Sequence, residues 1–150
     1  MTTHLRSVAL LLAVCLAPAL WAGCKSKSGG GAPESVAQAF ADAMASGNLA
    51  KAADQWNYIT EARAQNENWD DIPSGQRSQI IGKLKESKQA DLEALKGGFA
   101  SGMKAGPAQV AGTSATVQVT GGPQGDVTLQ LEQADGVWGV TAVTVSGAIP

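Results

Sequence analysis

At Gly97-Gly98 the apolar residues of this 150-residue chain stop recurring with the period of a helix and begin to alternate. That switch restricts the fold more than any other feature. Before it, Val36, Phe40, Ala43 and Met44 fall at i, i+4, i+7 and i+8, one stripe of a helix over 34–46. Pro33 suits the first helical position, and Gly47-Asn48 stops the helix, with Asn48 placed to cap the next one. Leu49, Ala52, Ala53, Trp56 and Ile59 then form one face of a second helix that fades near Ala64. Residues 65–73 read as a polar loop, and Pro73-Ser74 starts a third helix with Ile80, Ile81, Leu84, Leu92 and Leu95 on its stripe. Its middle, Lys85 to Asp91, is polar apart from Ala90, which leaves room for a break. Phe99 and Met103 fit either one more turn or a loop.

Beyond the switch, Ala115, Val117 and Val119 alternate with Thr116, Gln118 and Thr120, and Val127, Leu129 and Leu131 alternate with Thr128, Gln130 and Glu132. Each run predicts a strand with one apolar and one wet face. Gly121 to Gly125 joins them, Asp135-Gly136 makes a second hairpin turn, and a last strand runs from Val137 to about Val145. Residues 107–111 predict a weaker strand at an edge, where Pro107 is tolerated. Helices followed by strands give an α+β fold, with about three N-terminal helices packed on an antiparallel sheet of three to four strands.

Ahead of this domain stands an address. Arg6 precedes an apolar run from Val8 to Leu20, the length of a signal-peptide core, and Ala22-Gly23-Cys24 follows at its polar edge. The arrangement resembles the lipobox of bacterial lipoproteins, although Trp21 stands where Leu is usual. The resemblance implies that residues 1–23 are a signal peptide and that Cys24 becomes the lipidated first residue. It also implies two or three acyl chains, each buried methylene contributing about 0.8 kcal/mol, so attachment would be long-lived. Lys25 in place of Asp implies the outer membrane, facing the periplasm. A cleaved signal using Ala17 and Ala19, or an uncleaved anchor over Ser7 to Gly23, are the alternatives. Residues 24–33 are read as the lipidated Cys and a flexible linker, whose nine Gly/Ser-type residues 25–33 span about 15–18 Å, and 34–150 as a single domain.

The run Pro33-Glu34-Ser35-Val36-Ala37-Gln38-Ala39-Phe40, with Ser46-Gly47-Asn48-Leu49-Ala50-Lys51-Ala52 behind it, resembles the opening of nuclear-transport-factor-2-like domains. Ala115-Thr116-Val117-Gln118-Val119 and Asp135-Gly136-Val137-Trp138-Gly139-Val140 are similar to their ending. The likeness implies a curved sheet wrapped by helices into a cystatin-like cone whose mouth often takes a small ligand. Small bacterial lipoproteins of unknown function often carry such a domain, and the fold hosts enzymes and binding modules alike, so it does not decide the task.

The composition narrows the chemistry. A formal net charge of −2 argues against a nucleic-acid partner. The chain has one His and two Cys, and cleavage before Cys24 removes His4 and Cys15. No neutral-pH acid–base residue, triad partner, disulfide or His–Cys metal site would remain, and no cofactor is expected. Asp54 and Tyr58, at i and i+4, could serve a cone-fold enzyme as base and oxyanion donor, against a plain reading as a helix-surface Asp and a rim Tyr. Asn66-Glu67-Asn68-Trp69-Asp70-Asp71 offers oxygen ligands but lacks the spacing and Gly of a calcium loop. Trp69 is either an exposed anchor or tucked over the core, and the charged run Lys83 to Lys96 reads as a wet helix face. Trp56, Tyr58 and Trp138 are the candidate ligand-binding residues. The expected role is a non-catalytic, membrane-anchored envelope lipoprotein. Its domain would bind an envelope protein or a small apolar ligand, or serve as a structural accessory.

Overall fold

The computed structural model describes residues 31–147. The expected signal peptide and lipobox, with Cys24, and nearly all of the expected linker lie outside the described residues. None of the helices described is long and apolar enough to cross a membrane.

The fold is α+β, with the helices first. Helix α1 spans Pro33–Ala45 and buries Val36, Phe40, Ala43 and Met44 along the expected stripe. It ends in a Schellman turn. Gly47 takes φ 72°, its N–H donates to Met44 O at 3.0 Å, and Asn48 N–H donates to Ala43 O at 2.9 Å. The Asn48 side chain then accepts from Lys51 N–H at 3.1 Å and caps α2, Leu49–Ala53.

The expected second helix is in fact two. After α2 the chain leaves the helix at Asp54 and runs against the sheet: Val140 N–H donates to Gln55 O and Asn57 N–H to Val140 O, both at 2.8 Å. Helix α3, Tyr58–Gln65, restarts with Asn57 as its cap, whose Oδ1 accepts from Thr60 N–H at 3.1 Å. The apolar spacing stays in phase across the gap, which is why periodicity alone joins the two pieces. A 3-10 turn at Trp69–Asp71 leads to α4, Ser74–Leu95, which is continuous through its polar middle. The polar residues there face solvent or pair across to α2 and α3, as Lys85 does with Asp54 and Lys88 with Glu61, so nothing interrupts the helix. Leu92 is its one buried side chain; Ile80, Ile81, Leu84 and Leu95 are half-buried.

A 3-10 turn at Lys96–Gly98 carries buried Phe99 and Met103 into an antiparallel sheet. Strands β1 (Lys104–Ala105) and β2 (Gln109–Ala111) pair with the same edge of β3 (Ser114–Thr120), followed in order by β4 (Val127–Ala134) and β5 (Val137–Val145). The sheet therefore has five strands, β1 being a two-residue piece that no pattern announces. β3 and β4 pair in unbroken register from Ser114↔Glu132 to Val119↔Val127 and bury Ala115, Val117, Val119, Val127, Leu129 and Leu131. β5 carries a bulge: Leu131 faces Val140 but Gln130 faces Ala142, leaving Thr141 as the extra residue. The slip keeps Trp138, Val140, Val143 and Val145 all turned to the core.

Helix α1 lies on β1, β3 and β5, and the core fills the space between. Phe40 meets Trp56 at 6.4 Å and Phe99 edge-on at 5.8 Å between ring centroids. Two polar side chains of α1 clamp the short edge strands. Gln38 accepts from Ala105 N–H at 2.9 Å and donates to Met103 O at 3.1 Å. Glu34 accepts from Ala108 N–H at 3.0 Å. Its own backbone N–H and that of Ala108 hold the Glu34 carboxyl below its ordinary 4.5. A depressed carboxyl supports the folded state fully above its unfolded pKa and loses that support as pH falls through the folded value. Acidification below about pH 4.5 is therefore expected to lower the hydrogen-exchange protection of the Ala108 amide, measured relative to the intrinsic rate at each pH. Glu34→Gln should flatten that pH dependence.

Candidate functional site

The turn between β4 and β5 sets one wall of the site. Asp135 and Gly136 take φ 51° and 79°, the two positive values of a type I′ turn, matching the twist of the strands. Arg63 of α3 reaches over it, bonding Asp135 at 3.3 Å and Asp70 at 3.1 Å. The opposite wall is the stretch between α2 and α3. It approaches β5 so closely that a Cβ on Gly139 would stand 2.9 Å from Asn57 Cβ and 3.0 Å from its backbone. Asn57, buried there, donates from Nδ2 to Glu132 O at 2.9 Å, so one side chain both caps α3 and ties it to β4.

Between these walls and Ile81 of α4 lies an open cleft of about 220 Å³. Asp54, Trp56, Tyr58 and Trp138, the residues singled out from sequence, all line it, together with Gln55, Asn57, Ile59, Ala134, Val137 and Gly139. The cleft is on the flank of the domain. The space between α1 and the sheet, where a cone would hold its ligand, is occupied by Phe40, Met44, Leu92, Met103 and Leu129.

Asp54 and Tyr58 do not share one helix, as the spacing implies; the break between α2 and α3 separates them. Asp54 forms an ion pair with Lys85. The buried Tyr58 hydroxyl donates to Ala53 O at 2.8 Å. Burial first, then the charges of Asp54 and Glu61, push its pKa above the usual 10.0. A phenol raised in this way contributes stability that is intact below pH 10 and lost as pH rises through the folded value. Tyr58 is the single Tyr of the chain, so the alkaline rise in absorbance at 295 nm, above the constant tryptophan background, reports it alone. In the folded protein that rise is expected at higher pH than in the urea-unfolded chain, where it centres at about pH 10.

Trp56 is mainly a packing residue. Lys88 Nζ stands 4.4 Å from its ring centroid, while Phe40 packs beside it. A second cleft of about 300 Å³ opens on its other side, between Thr60, Glu61, Ala64, Lys88 and Thr141. Trp69 is buried, tucked back rather than exposed, with the Arg77 guanidinium 6.0 Å from its ring centroid. In the oxygen-rich loop around it, Asn66 donates to Ala62 O and Asp70 is taken by Arg63. Among the described residues no three His, Cys, Asp or Glu side chains are grouped to hold a metal ion.

Gln55, Asn57 and Val137 escaped the sequence reading. Asn57, just before Tyr58, carries the cap signature that would have revealed the second start; Gln55 carries no local signal. Compared with known protein families, characterised proteins and solved structures, the chain has no significant match.

Proposed function

We propose that this chain is a lipid-anchored protein of the bacterial envelope whose domain binds a small, largely apolar ligand without transforming it. The observation that carries the binding role is the flank cleft. It gathers Trp138, Val137, Ile59 and Ile81 around an opening, while the groups suited to proton transfer are committed, Asp54 to Lys85 and Tyr58 to Ala53 O. The anchor rests on Ala22-Gly23-Cys24 behind the apolar run, and Lys25 favours the periplasmic face of the outer membrane. A small-ligand role is favoured over a broad protein-docking face because the large apolar side chains well exposed among the described residues are Val110 and Val137. They belong to separate strands, β2 and β5, and form no single patch.

Two measurements test this. Mass spectrometry of the protein from native envelopes should find Cys24 acylated at the N-terminus, and Cys24→Ser should release the chain from the membrane fraction. An apolar fluorophore, N-phenyl-1-naphthylamine, should quench tryptophan emission in the wild-type protein and do so weakly in Trp138→Ala. Equal quenching in both would overturn the cleft as the binding site.

A further inference from the structure

Gln55 is 7% exposed, and its backbone is fixed on both sides: its N–H donates to Ala52 O at 3.0 Å and its carbonyl accepts from Val140 N–H at 2.8 Å. Its side-chain carboxamide has no hydrogen-bond partner among the described residues. Yet among those residues no sealed side-chain nitrogen or oxygen lacks a partner. The amide of Gln55 is therefore not sealed, and the cavity that Gln55 lines is the flank cleft. The other polar side chains there, the two indoles apart, are committed: Asp54 to Lys85, Tyr58 to Ala53 O, and Asn57 to Glu132 O and Thr60 N–H.

A carboxamide offers one acceptor and one donor side by side in a plane. Open to the cleft, this amide is hydrated when the site is empty, so a ligand that displaces the water there binds well only where it restores both bonds. The rest of the lining selects the ligand body. Trp138 with Ile59, Ile81 and Val137 presents apolar walls, and the one acid at the rim is neutralised by Lys85. The cleft's 220 Å³ lies below the usual span for drug-sized ligands, about 300–1,000 Å³. Together these features describe a neutral, flat molecule of one or two rings with an N–H and a C=O adjacent on one edge.

We propose that the cleft recognises lactam-type ligands, with Gln55 as the residue that reads the N–H/C=O edge. This rests on the cleft being the binding site, as argued above. The test uses the full chain in lipid nanodiscs, with free probe measured in the filtrate and binding followed by the side-chain amide resonances of Gln55 and the indole resonance of Trp138. The probe is quinolin-2(1H)-one; its N-methyl derivative keeps the ring system but replaces the donor with a methyl, and Gln55→Met separates loss of the bond from the added bulk. In the wild type the unmethylated probe should bind about tenfold more tightly, the scale of one to two hydrogen bonds. Gln55→Met, which removes a group bonded to no protein atom, should fold normally and bind both probes alike. Shifts at Trp138 with a preference below about twofold in the wild type would overturn the lactam proposal and leave the cleft as a binding site. No shift at Trp138 with either probe would overturn both. The ligand-side comparison reads the wild-type protein, so it stands even where the substitution perturbs folding.

Discussion

Phe40→Ala is expected to destabilise the domain by about 3–5 kcal/mol. Phe40 is completely buried and sits where three parts of the chain meet: α1, which carries it, Trp56 of the α2–α3 connection, and Phe99 at the entrance to the sheet. Truncation removes the transfer energy of the ring and two aromatic contacts, and leaves a cavity bounded by elements that cannot all close in. α1 is held by Glu34 and Gln38 to the edge strands and cannot settle freely. Total stability for a domain of this size is about 5–15 kcal/mol, so the loss is a large fraction of the whole. Urea unfolding should show a lower midpoint with an unchanged slope. Phe40→Leu, which keeps most of the volume, should recover more than half of the loss.

Gly139→Ala should cost about 2–3 kcal/mol, the upper part of the range for overpacking, because the obstructing atoms include backbone. The added methyl would stand 2.9–3.0 Å from the Cβ, Cα and N of Asn57. Asn57 cannot swing aside without giving up the Glu132 carbonyl, the α3 cap and its backbone bond to Val140. Either β5 or the α2–α3 connection must shift, and both are walls of the cleft. The variant should melt several degrees lower by differential scanning calorimetry and lose amide protection at Asn57 and Val140 together. Loss of thermal stability with protection retained at both amides would contradict this account.

The extent to which the fold could be read from sequence follows the physics of each element. α1 was legible because its stripe, its starting Pro33 and its Gly47-Asn48 stop agree with one another, and all three are local. β3 and β4 were legible because one face of each is buried and the side-chain period of a strand is two. The break between α2 and α3 was not, since it depends on bonds from Gln55 and Asn57 to Val140, more than 80 residues away in the chain. The bulge at Thr141 left a trace that went unread: Trp138 and Val140 are followed by Val143 and Val145, one residue out of step. The candidate site was partly legible. Trp56, Tyr58 and Trp138 stand out as the large amphipathic side chains, and they do border one cleft, whereas Gln55 has meaning only once its neighbours' bonds are known.

Helix α4 supplies one wall of that cleft through Ile81, yet its single fully enclosed side chain, Leu92, lies near its far end. The first turns can thus detach while the sheet and α1 stay intact, because little apolar surface is exposed by doing so. The wall at Ile81 would then loosen on the timescale of helix fraying, set apart from the much slower rate at which the whole domain comes undone.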